Sequence, residues 1–378
     1  MKREKKGKAD KILLVLILVI SLFGLLMVAN ASAIIAQENF GDQFYFLKRQ
    51  AAWWVLGIIS LALASHLTSQ QLEKIAFPLL FLSLVLTTAV LLPGLGQEKL
   101  GARRWLAIGG FTFQPTELTK LAMVCYGASF FASQEKKEKK NFGPFLLITL
   151  LAAALAMAGP DLGTTVVLAS TGLLICFLAG ISSFKIFLLA LAALIAGAIM
   201  IFTSPYRRQR MLTFLNPNQD LQKTSYHVHQ ILLSLGSGGL LGQGLGQGKQ
   251  KYAYLPEVAT DSIFAVIAEE LGFIGATAVI ILLALLVFRC FNIAARAGDL
   301  KGKLLAGGVG GWLGIQTLIN LGGIVSLIPL TGIPLPLISY GGSSLLVTLT
   351  ALGLVLGVSR QEKAIHEIRR QGNTLKNC

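Results

Sequence analysis

Ten apolar runs follow one another along the chain, and they constrain its fold more than any other feature. A helix needs about 20 mostly apolar residues to span the hydrocarbon core of a bilayer, so each run is a candidate membrane span. The candidates are residues 12–35, 51–67, 77–92, 115–133, 145–157, 162–178, 184–202, 262–288, 304–327 and 343–356. The sequence therefore predicts an all-α, polytopic integral membrane protein with about ten transmembrane helices.

The composition supports a membrane protein over a water-soluble one. Hydrophobic residues make up 54% of the 378 positions and charged residues only 13%, which is too apolar for a soluble domain. A net charge of +15 is compatible with nucleic-acid binding. However, the Lys and Arg residues lie between apolar runs, as the positive-inside rule describes, and we expect no nucleic-acid partner. The four cysteines show neither CxxC nor zinc-ligand spacing, so no disulfide framework or metal site is expected from them.

The placement of positive charge also predicts how the chain is oriented. Most of the 33 Lys and Arg residues fall in the two termini and in alternate loops, so both termini are predicted to be cytoplasmic. We expect one membrane domain over residues 1–378, with cytoplasmic tails at 1–11 and 359–378 and a large extracytoplasmic loop at 203–260. A cleaved signal peptide is the alternative for the first run, but a retained helix fits a chain that is apolar throughout. Because the outer loops hold most of the unusual polar groups, function is expected to face outward.

Two ionisable residues lie within the fourth apolar run. Glu117 and Lys120 are three residues apart, so they lie on neighbouring positions of one helical face. Charged groups at membrane depth are costly unless they are paired or hydrated, which makes both residues functional candidates. The alternative is a structural ion pair that closes on itself.

Arginines in the outer loops are candidate ligands for anionic groups. Arg103 and Arg104 precede the fourth run, and Arg210 belongs to a cluster at the start of the large loop. The planar guanidinium suits phosphate oxygens, so capture of a phosphate or headgroup is one interpretation. The alternatives are interfacial anchoring for the first two residues and an amphipathic interfacial helix for the third.

The end of the large loop combines a glycine series with a carboxylate. Seven glycines lie between positions 236 and 248, but no G-x-x-x-x-G-K-[ST] register exists, so a phosphate-binding loop is excluded. The glycines instead predict a loop that re-enters or lies flat with close backbone approach. Asp261 begins the next run, where a carboxylate could cap the helix or serve as a general base. The pair His227 and His229 is weak evidence for a metal site, because no third ligand accompanies it.

The segment 329–342 contains three prolines and three glycines and cannot form one regular helix. It is predicted to be an ordered outer loop in which Tyr340 and Ser343 bind a polar ligand or cap the last helix. Gln316 and Asn320, four residues apart in the preceding run, are expected to bond between helices or to face the same cavity.

Five motifs together resemble one family over nearly the whole chain, the SEDS (shape, elongation, division and sporulation) family. They are GARRWLAIGGFTFQPTELTKLA, PDLGTT, YHVHQILLSLGSGGLLGQGLGQ, LPEVATDSIFAVIAEELGFIG and PLTGIPLPLISYGGSS. The segments GDQFYFLKRQ and GVSRQEK look more like the FtsW branch or its sporulation relative SpoVE than like RodA. Where the family usually reads LPExHTDFIFA, this chain has Ala259 for the histidine and Ser262 for the phenylalanine.

The resemblance implies a peptidoglycan glycosyltransferase that polymerises lipid II, with undecaprenyl pyrophosphate as the leaving group. The family's catalytic aspartate falls on Asp261. The expected substrate-binding residues are Glu117, Lys120, Arg103, Gln114, Arg210, Glu257, Tyr340 and Ser343. We further expect Lys120 to be the buried counter-charge of Asp261.

The same resemblance implies partners and a location. The expected partners are lipid II, a class B penicillin-binding protein and other division proteins, at the septal cytoplasmic membrane. A divalent cation, Mg²⁺ or Mn²⁺, could assist the pyrophosphate. Two other interpretations remain: a lipid II flippase, which usually shows inverted repeats that this sequence lacks, and a scaffold that recruits a transpeptidase.

Overall fold

A computed structural model describes residues 9–99, 102–108, 111–137, 140–203, 205–215, 225–249 and 257–376. Nine of the ten predicted spans each coincide with one continuous helix and the eighth with α10, which is broken at Gly272, so the predicted polytopic helical architecture is confirmed. These ten helices are α1 (Lys11–Phe40), α2 (Tyr45–Ala64), α3 (Ser69–Leu91), α4 (Pro115–Ala132), α5 (Gly143–Ala158), α6 (Leu162–Leu178), α7 (Ser183–Thr203), α10 (Ile263–Arg296), α11 (Leu300–Ile324) and α12 (Gly342–Lys376).

Length and composition divide these ten helices into three groups. Seven of them, α1, α2, α3, α7, α10, α11 and residues Gly342–Gln361 of α12, are long and apolar enough to cross a membrane. Helices α5 and α6 are apolar but shorter. Helix α4 has 18 residues and carries the Glu117–Lys120 pair. Helix α12 continues to Lys376, so most of the predicted C-terminal tail, 359–378, is helical.

Several helices begin where a polar side chain satisfies the first free backbone N–H groups. Asp10 accepts from Leu13 N at the start of α1, and Asp299 accepts from Gly302 N at the start of α11. Thr68 and Gln71 form a capping box at the start of α3. Asp161 caps α6 directly after α5 has ended at Ala158, so a tight turn joins these two helices.

The core lies between α4, α10, α11 and α12, where Trp312 and Lys120 are among the largest fully buried side chains. The periphery is apolar as well: every described side chain of α7 is at least partly exposed. Exposed apolar surface of this extent is what a lipid-facing helix presents.

The outer segment 93–114 differs from the predicted loop. It forms a three-stranded antiparallel sheet of β1 (Gly96–Lys99), β2 (Ala102–Ile108) and β3 (Phe111–Phe113), with β2 in the middle. Gln97 pairs with Trp105, and Leu106 pairs with Phe113. The described residues therefore form a helical bundle with one small sheet between α3 and α4.

The large loop contains two helices, α8 (Pro205–Leu215) and α9 (Tyr226–Ser237). Helix α8 corresponds to the interfacial helix that the arginine cluster predicted. The segment 236–248 then packs against α10, and the predicted close approach is confirmed at Gly238, Gly242 and Gly248, where an added Cβ would meet atoms of α10; at Gly236, Gly239 and Gly246 it would meet nothing within 4 Å. The predicted loop positions 204, 216–224 and 250–256 lie outside the described residues, as do tail residues 1–8.

Helix α10 is interrupted at Gly272, which has φ +67° and ψ −170°. The glycine loop supplies partners for the interrupted backbone. Gln243 N and Gly244 N donate to the carbonyls of Glu269 and Glu270, and Phe273 N donates to Gly239 O. The eighth predicted span is therefore two helical pieces joined across a glycine break.

Candidate active site

Asp261 lies in the turn that leads into α10. In this turn Glu257 has a φ of +51°, and its backbone O accepts from Thr260 N at 3.1 Å and from Ser262 N at 3.3 Å. The Thr260 hydroxyl donates to the Glu257 carboxylate at 2.8 Å. The N-cap of α10 is Ser262. The interpretation of Asp261 as the helix cap is therefore wrong, and its carboxylate is not needed to cap α10.

The environment of Asp261 shifts its pKa upward. Asp261 is half-buried, and burial is the main cause that raises its pKa to about 6. The negative charge of Glu257 raises the pKa as well, whereas the Thr260 hydroxyl and the charge of Arg210 lower it. A carboxyl group with this pKa is mostly ionised at neutral pH, yet it is more basic than an ordinary aspartate. The turn thus holds a group suited to accept a proton.

Arg210 of α8 faces the same turn from the large loop. Its Nη1 donates to Leu330 O at 3.3 Å, which fastens α8 to the loop that follows α11. Arg210 is exposed, so its guanidinium can reach an anionic ligand while it acts electrostatically on Asp261. The structure thus brings together the predicted residues Arg210, Glu257 and Asp261.

A cavity of about 260 Å³ lies between α8, α9 and the end of α11. Asp261 does not line it, but two lining residues act on the Asp261 turn: Arg210 lowers the pKa of Asp261, and His227 Nε2 lies 2.8 Å from Ser262 Oγ. Polar and apolar side chains both line it, as is common in ligand pockets. The lining residues are Gln209, Arg210, Thr213, Phe214, His227, Val228, Gly323, Ser326, Ile328 and Leu330.

The loop between α11 and α12 is ordered, as predicted, and lies beside Asp261. A Cβ at Gly332, where φ is +72°, would lie 3.4 Å from Asp261 Oδ2. Tyr340 N donates to Ala259 O at 2.7 Å, so the end of the loop is bound to the turn that contains Asp261. The hydroxyl of Tyr340 is not at the carboxylate: burial raises its pKa, and its bonding partner is Arg49 of α2.

Glu117 and Lys120 form a deeply buried ion pair inside the helical bundle. Lys120 Nζ lies 2.8 Å from Glu117 Oε1 and donates to Gln316 Oε1 at 2.8 Å. It also lies 5.1 Å from the ring centroid of Trp312. The structure describes both Lys120 and Asp261 and shows no ion pair between them, so the predicted counter-charge is wrong. The cation that acts on Asp261 is Arg210.

Gln114 and Ser343 meet beside the sheet rather than at the Asp261 turn. Gln114 N donates to Ser343 Oγ at 3.2 Å, and Gln114 Nε2 donates to Asp161 Oδ2 at 3.2 Å. Arg104 approaches the same carboxylate at 3.8 Å and donates through Nε to Gly159 O at 3.2 Å. These contacts join α4, α6, α12 and the sheet, so in this structure they stabilise the outer end of the bundle.

Arg103 is exposed on β2, where its backbone pairs with Glu98 of β1. Its backbone O approaches Gly159 in the α5–α6 turn. Arg103 therefore belongs to the outer sheet, next to Arg104, and its predicted role toward a pyrophosphate rests on the side chain's exposure alone.

Sequence analysis missed several contacts at the catalytic turn. Thr260, which adjusts both Glu257 and Asp261, was not singled out. His227 bonds to Ser262, one of the positions that departs from the usual family motif. Within the described residues, no group of three or more His, Cys, Asp or Glu side chains could hold a metal ion. His227 thus acts as a hydrogen-bonding partner of the turn.

Known proteins match the chain over almost its entire length. Residues 10–364 match the family model for FtsW, RodA and SpoVE, which is described as cell cycle protein. Stage V sporulation protein E from Bacillus subtilis (strain 168) is 39% identical over 365 residues, which cover 95% of this chain and 99% of that protein. A probable peptidoglycan glycosyltransferase FtsW from Geobacter metallireducens is 38% identical over 94% of this chain and 95% of its own length.

Solved structures share the fold as well as the sequence. A chain from a peptidoglycan synthase complex that coordinates polymerization and crosslinking aligns with a TM-score of 0.77 and 32% identity, covering 94% of this chain and 98% of that one. The rod shape determining protein RodA from Thermus thermophilus aligns with a TM-score of 0.69 and 31% identity, covering 93% and 97%. The chain therefore belongs to the FtsW/RodA/SpoVE family of cell cycle proteins, the SEDS family that its motifs resemble.

Proposed function

We propose that this chain is a peptidoglycan glycosyltransferase that polymerises lipid II into glycan strands at the outer face of the cytoplasmic membrane. The observation that carries the proposal is Asp261, a half-buried carboxylate with a pKa of about 6, on which the exposed Arg210 acts; Arg210 also lines a cavity of about 260 Å³. The name of the Geobacter relative describes the same activity.

In the proposed reaction Asp261 removes the proton from the 4-hydroxyl of the acceptor GlcNAc. The hydroxyl oxygen forms a bond to the anomeric carbon of the donor chain while the bond from that carbon to undecaprenyl pyrophosphate breaks. A direct displacement inverts the anomeric centre, so one base is sufficient and no covalent intermediate is needed. Arg210 stabilises the negative charge on the departing pyrophosphate.

We also propose that a divalent cation, Mg²⁺ or Mn²⁺, accompanies the pyrophosphate of the substrate. Mg²⁺ commonly keeps several waters and binds substrate phosphates with only one or two protein carboxylates. The cation would supply charge neutralisation for the pyrophosphate.

The proposal includes an orientation and a partner. Both termini face the cytoplasm, and the catalytic turn faces outward, where the positive-inside rule puts it. One structural neighbour comes from a complex of polymerization and crosslinking activities. By analogy with that complex, we propose that this chain works with a class B penicillin-binding protein and other division proteins at the septum.

Reconstitution with purified lipid II tests the proposed activity. The chain is co-purified with its class B partner, and the products are separated by gel electrophoresis. We expect glycan strands from the wild type, none from Asp261→Asn, and wild-type amounts from Asp42→Asn, whose aspartate forms an exposed ion pair with Lys48. Vesicles in which the wild type moves lipid II across the bilayer without making polymer would support a flippase. Full polymerisation by Asp261→Asn would contradict the general base.

A further inference from the structure

Two buried amides on α11 hold the loop that lies against Asp261. Gln316 Nε2 donates to Pro334 O at 2.8 Å, and Asn320 Nδ2 donates to Ile333 O at 2.8 Å. Asn320 Nδ2 also donates to the backbone O of Asp261 at 3.0 Å. Because the two amides are four residues apart, they lie one above the other on the same helical face. One face of α11 therefore fixes adjacent loop residues and the backbone of the proposed base.

The orientation of the Gln316 amide is set by its other neighbours. Its Oε1 accepts from Lys120 Nζ at 2.8 Å and from Trp312 Nε1 at 2.9 Å. A lysine ammonium and an indole N–H can only donate, so the amide must present its oxygen to them and its nitrogen to the loop. Gln316 is fully buried, which leaves no water to replace either contact. The charge on Lys120 thus determines which end of Gln316 reaches Pro334.

Lys120 forms an ion pair with the carboxylate of Glu117, which could accept further hydrogen bonds. Glu117 Oε1 pairs with Lys120, whereas its buried Oε2 has no hydrogen-bond partner. A buried ion pair of this kind is weak evidence for stability, because desolvation offsets the attraction. Orientation of Gln316 is a role that would explain why the chain keeps a buried ion pair whose desolvation is costly.

The loop transmits this arrangement to the catalytic carboxylate. Gly332, directly before Ile333, lies beside the carboxylate, because a Cβ added to it would be 3.4 Å from Asp261 Oδ2. A displacement of Ile333 or Pro334 would therefore change the surroundings of the carboxylate, and a displacement of Asn320 would release the backbone O of Asp261. A shift of about 1 Å in a reacting group can cost about a hundredfold in rate.

We propose that Gln316 and Asn320 are positioning residues for the glycosyltransferase reaction, and that the Glu117–Lys120 pair acts on Asp261 through Gln316 and the loop instead of by direct ion pairing. The inference rests on the proposed function, because it assigns these residues to the reaction of Asp261. It gives the buried pair a role without contact to the substrate.

A double-mutant cycle tests the connection. Lys120→Met and Gln316→Met remove the two groups without opening a large cavity, and the two variants are also combined. For each single variant we expect kcat for lipid II polymerisation to fall about tenfold to a hundredfold with little change in KM. Because both act through one path, the double variant should be no slower than the slower single variant. A double variant whose loss in kcat equals the product of the two single losses would show that Lys120 and Gln316 act independently, and would overturn the inference.

Two measurements keep a positioning role distinct from a folding defect. Thr317→Val is the matched control, because the Thr317 hydroxyl bonds only to Leu313 O of its own helix; it should keep wild-type kcat. Hydrogen exchange of the backbone amides at 335–341 should be faster in Gln316→Met than in the wild type and in Thr317→Val. Unchanged exchange, or a Gln316→Met enzyme with wild-type kcat, would overturn the inference while polymerisation by the wild type still supported the proposed function. A wild type that makes no polymer would overturn both.

Discussion

Opposite charges act on the carboxylate of Asp261, and their balance sets the pH range in which it can accept a proton. Burial and the charge of Glu257 raise its pKa, while Arg210 and the Thr260 hydroxyl lower it, with a result of about 6. Only the ionised carboxylate is a base, so activity should be lost as the pH falls through this value. At the two positions that depart from the usual family motif, Ala259 accepts through its backbone O from Tyr340 N, and Ser262 bonds to His227.

Changing either neighbouring charge should move the acid limb of the pH–rate profile. Glu257→Gln removes a like charge, so the pKa of Asp261 falls and activity persists to lower pH. Arg210→Gln removes an opposite charge, so the pKa rises and activity is lost at higher pH. The rate of lipid II polymerisation from pH 5 to 8 measures both shifts. Shifts in the same direction would show that these residues do not act on the base through their charge.

At the scale of elements, the break in α10 and the glycine loop depend on each other. The break at Gly272 leaves backbone groups that the loop satisfies, and a Cβ at Gly242 would collide with the backbone O of Glu270. Gly246 N and Lys249 N donate to the buried carboxylates of Glu270 and Glu269, at 3.1 and 2.8 Å. The loop therefore stabilises the helical piece that begins beside Asp261.

Gly242→Ala should destabilise the protein through this contact. The residue has φ +82° and no room for a side chain, and we expect a loss of at least about 1 kcal/mol in the free energy of unfolding. Gly246→Ala is the matched control, because Gly246 has φ +83° but nothing within 4 Å of an added Cβ. Thermal unfolding in detergent compares the two variants. Equal midpoints would mean that backbone strain, not the packing of the loop on α10, explains the loss.

Elements that depend on local composition could be predicted from the sequence, and contacts between distant elements could not. Ten apolar runs suffice to locate ten helices, because burial in lipid depends on length and hydrophobicity. The break at Gly272 was missed because glycine between apolar residues is compatible with a continuous helix. The outer sheet was missed because its strands are short and lie in a segment with many polar residues.

At the candidate site, too, features of one local segment could be predicted from the sequence, whereas contacts between distant elements could not. Asp261 could be selected as a candidate because its motif is specific, but the ion pair predicted between Lys120 and Asp261 is absent from the structure. Spacing along a helix shows that Lys120 can meet Glu117, whereas its orientation toward Gln316 on α11 depends on how the helices pack.

At the scale of the whole molecule, the predicted activity requires that the sheet, the α8–α9 segment and the Asp261 turn share the outer side of the bundle. Arg210 joins α8 to the loop between α11 and α12, Tyr340 joins that loop to the Asp261 turn, and Gln114, directly after the sheet, donates to Ser343 of α12. The charge pattern predicts that this side is exterior and that both termini are cytoplasmic. That one membrane domain comprises residues 1–378 stays a prediction.

Cysteine labelling in intact cells tests this orientation. The native residues Cys125, Cys176 and Cys290 are buried, so only Cys378 needs to be replaced by serine beforehand. A membrane-impermeant maleimide should label Gln97→Cys, at the exposed outer sheet, and should not label Lys136→Cys, in the predicted cytoplasmic loop. Lys136→Cys should react once the cells are opened. The reverse pattern would place the catalytic turn on the cytoplasmic side and exclude the proposed polymerase.

The most direct test of Asp261 as the general base is the pH–rate profile of lipid II polymerisation by the wild type and by Asp261→Asn. We expect the wild-type rate to rise through a midpoint at about pH 6, and Asp261→Asn to be slower by about 10² to 10⁴ at neutral pH, without that midpoint. An Asp261→Asn enzyme that keeps both the wild-type rate and the same acid limb would contradict the assignment.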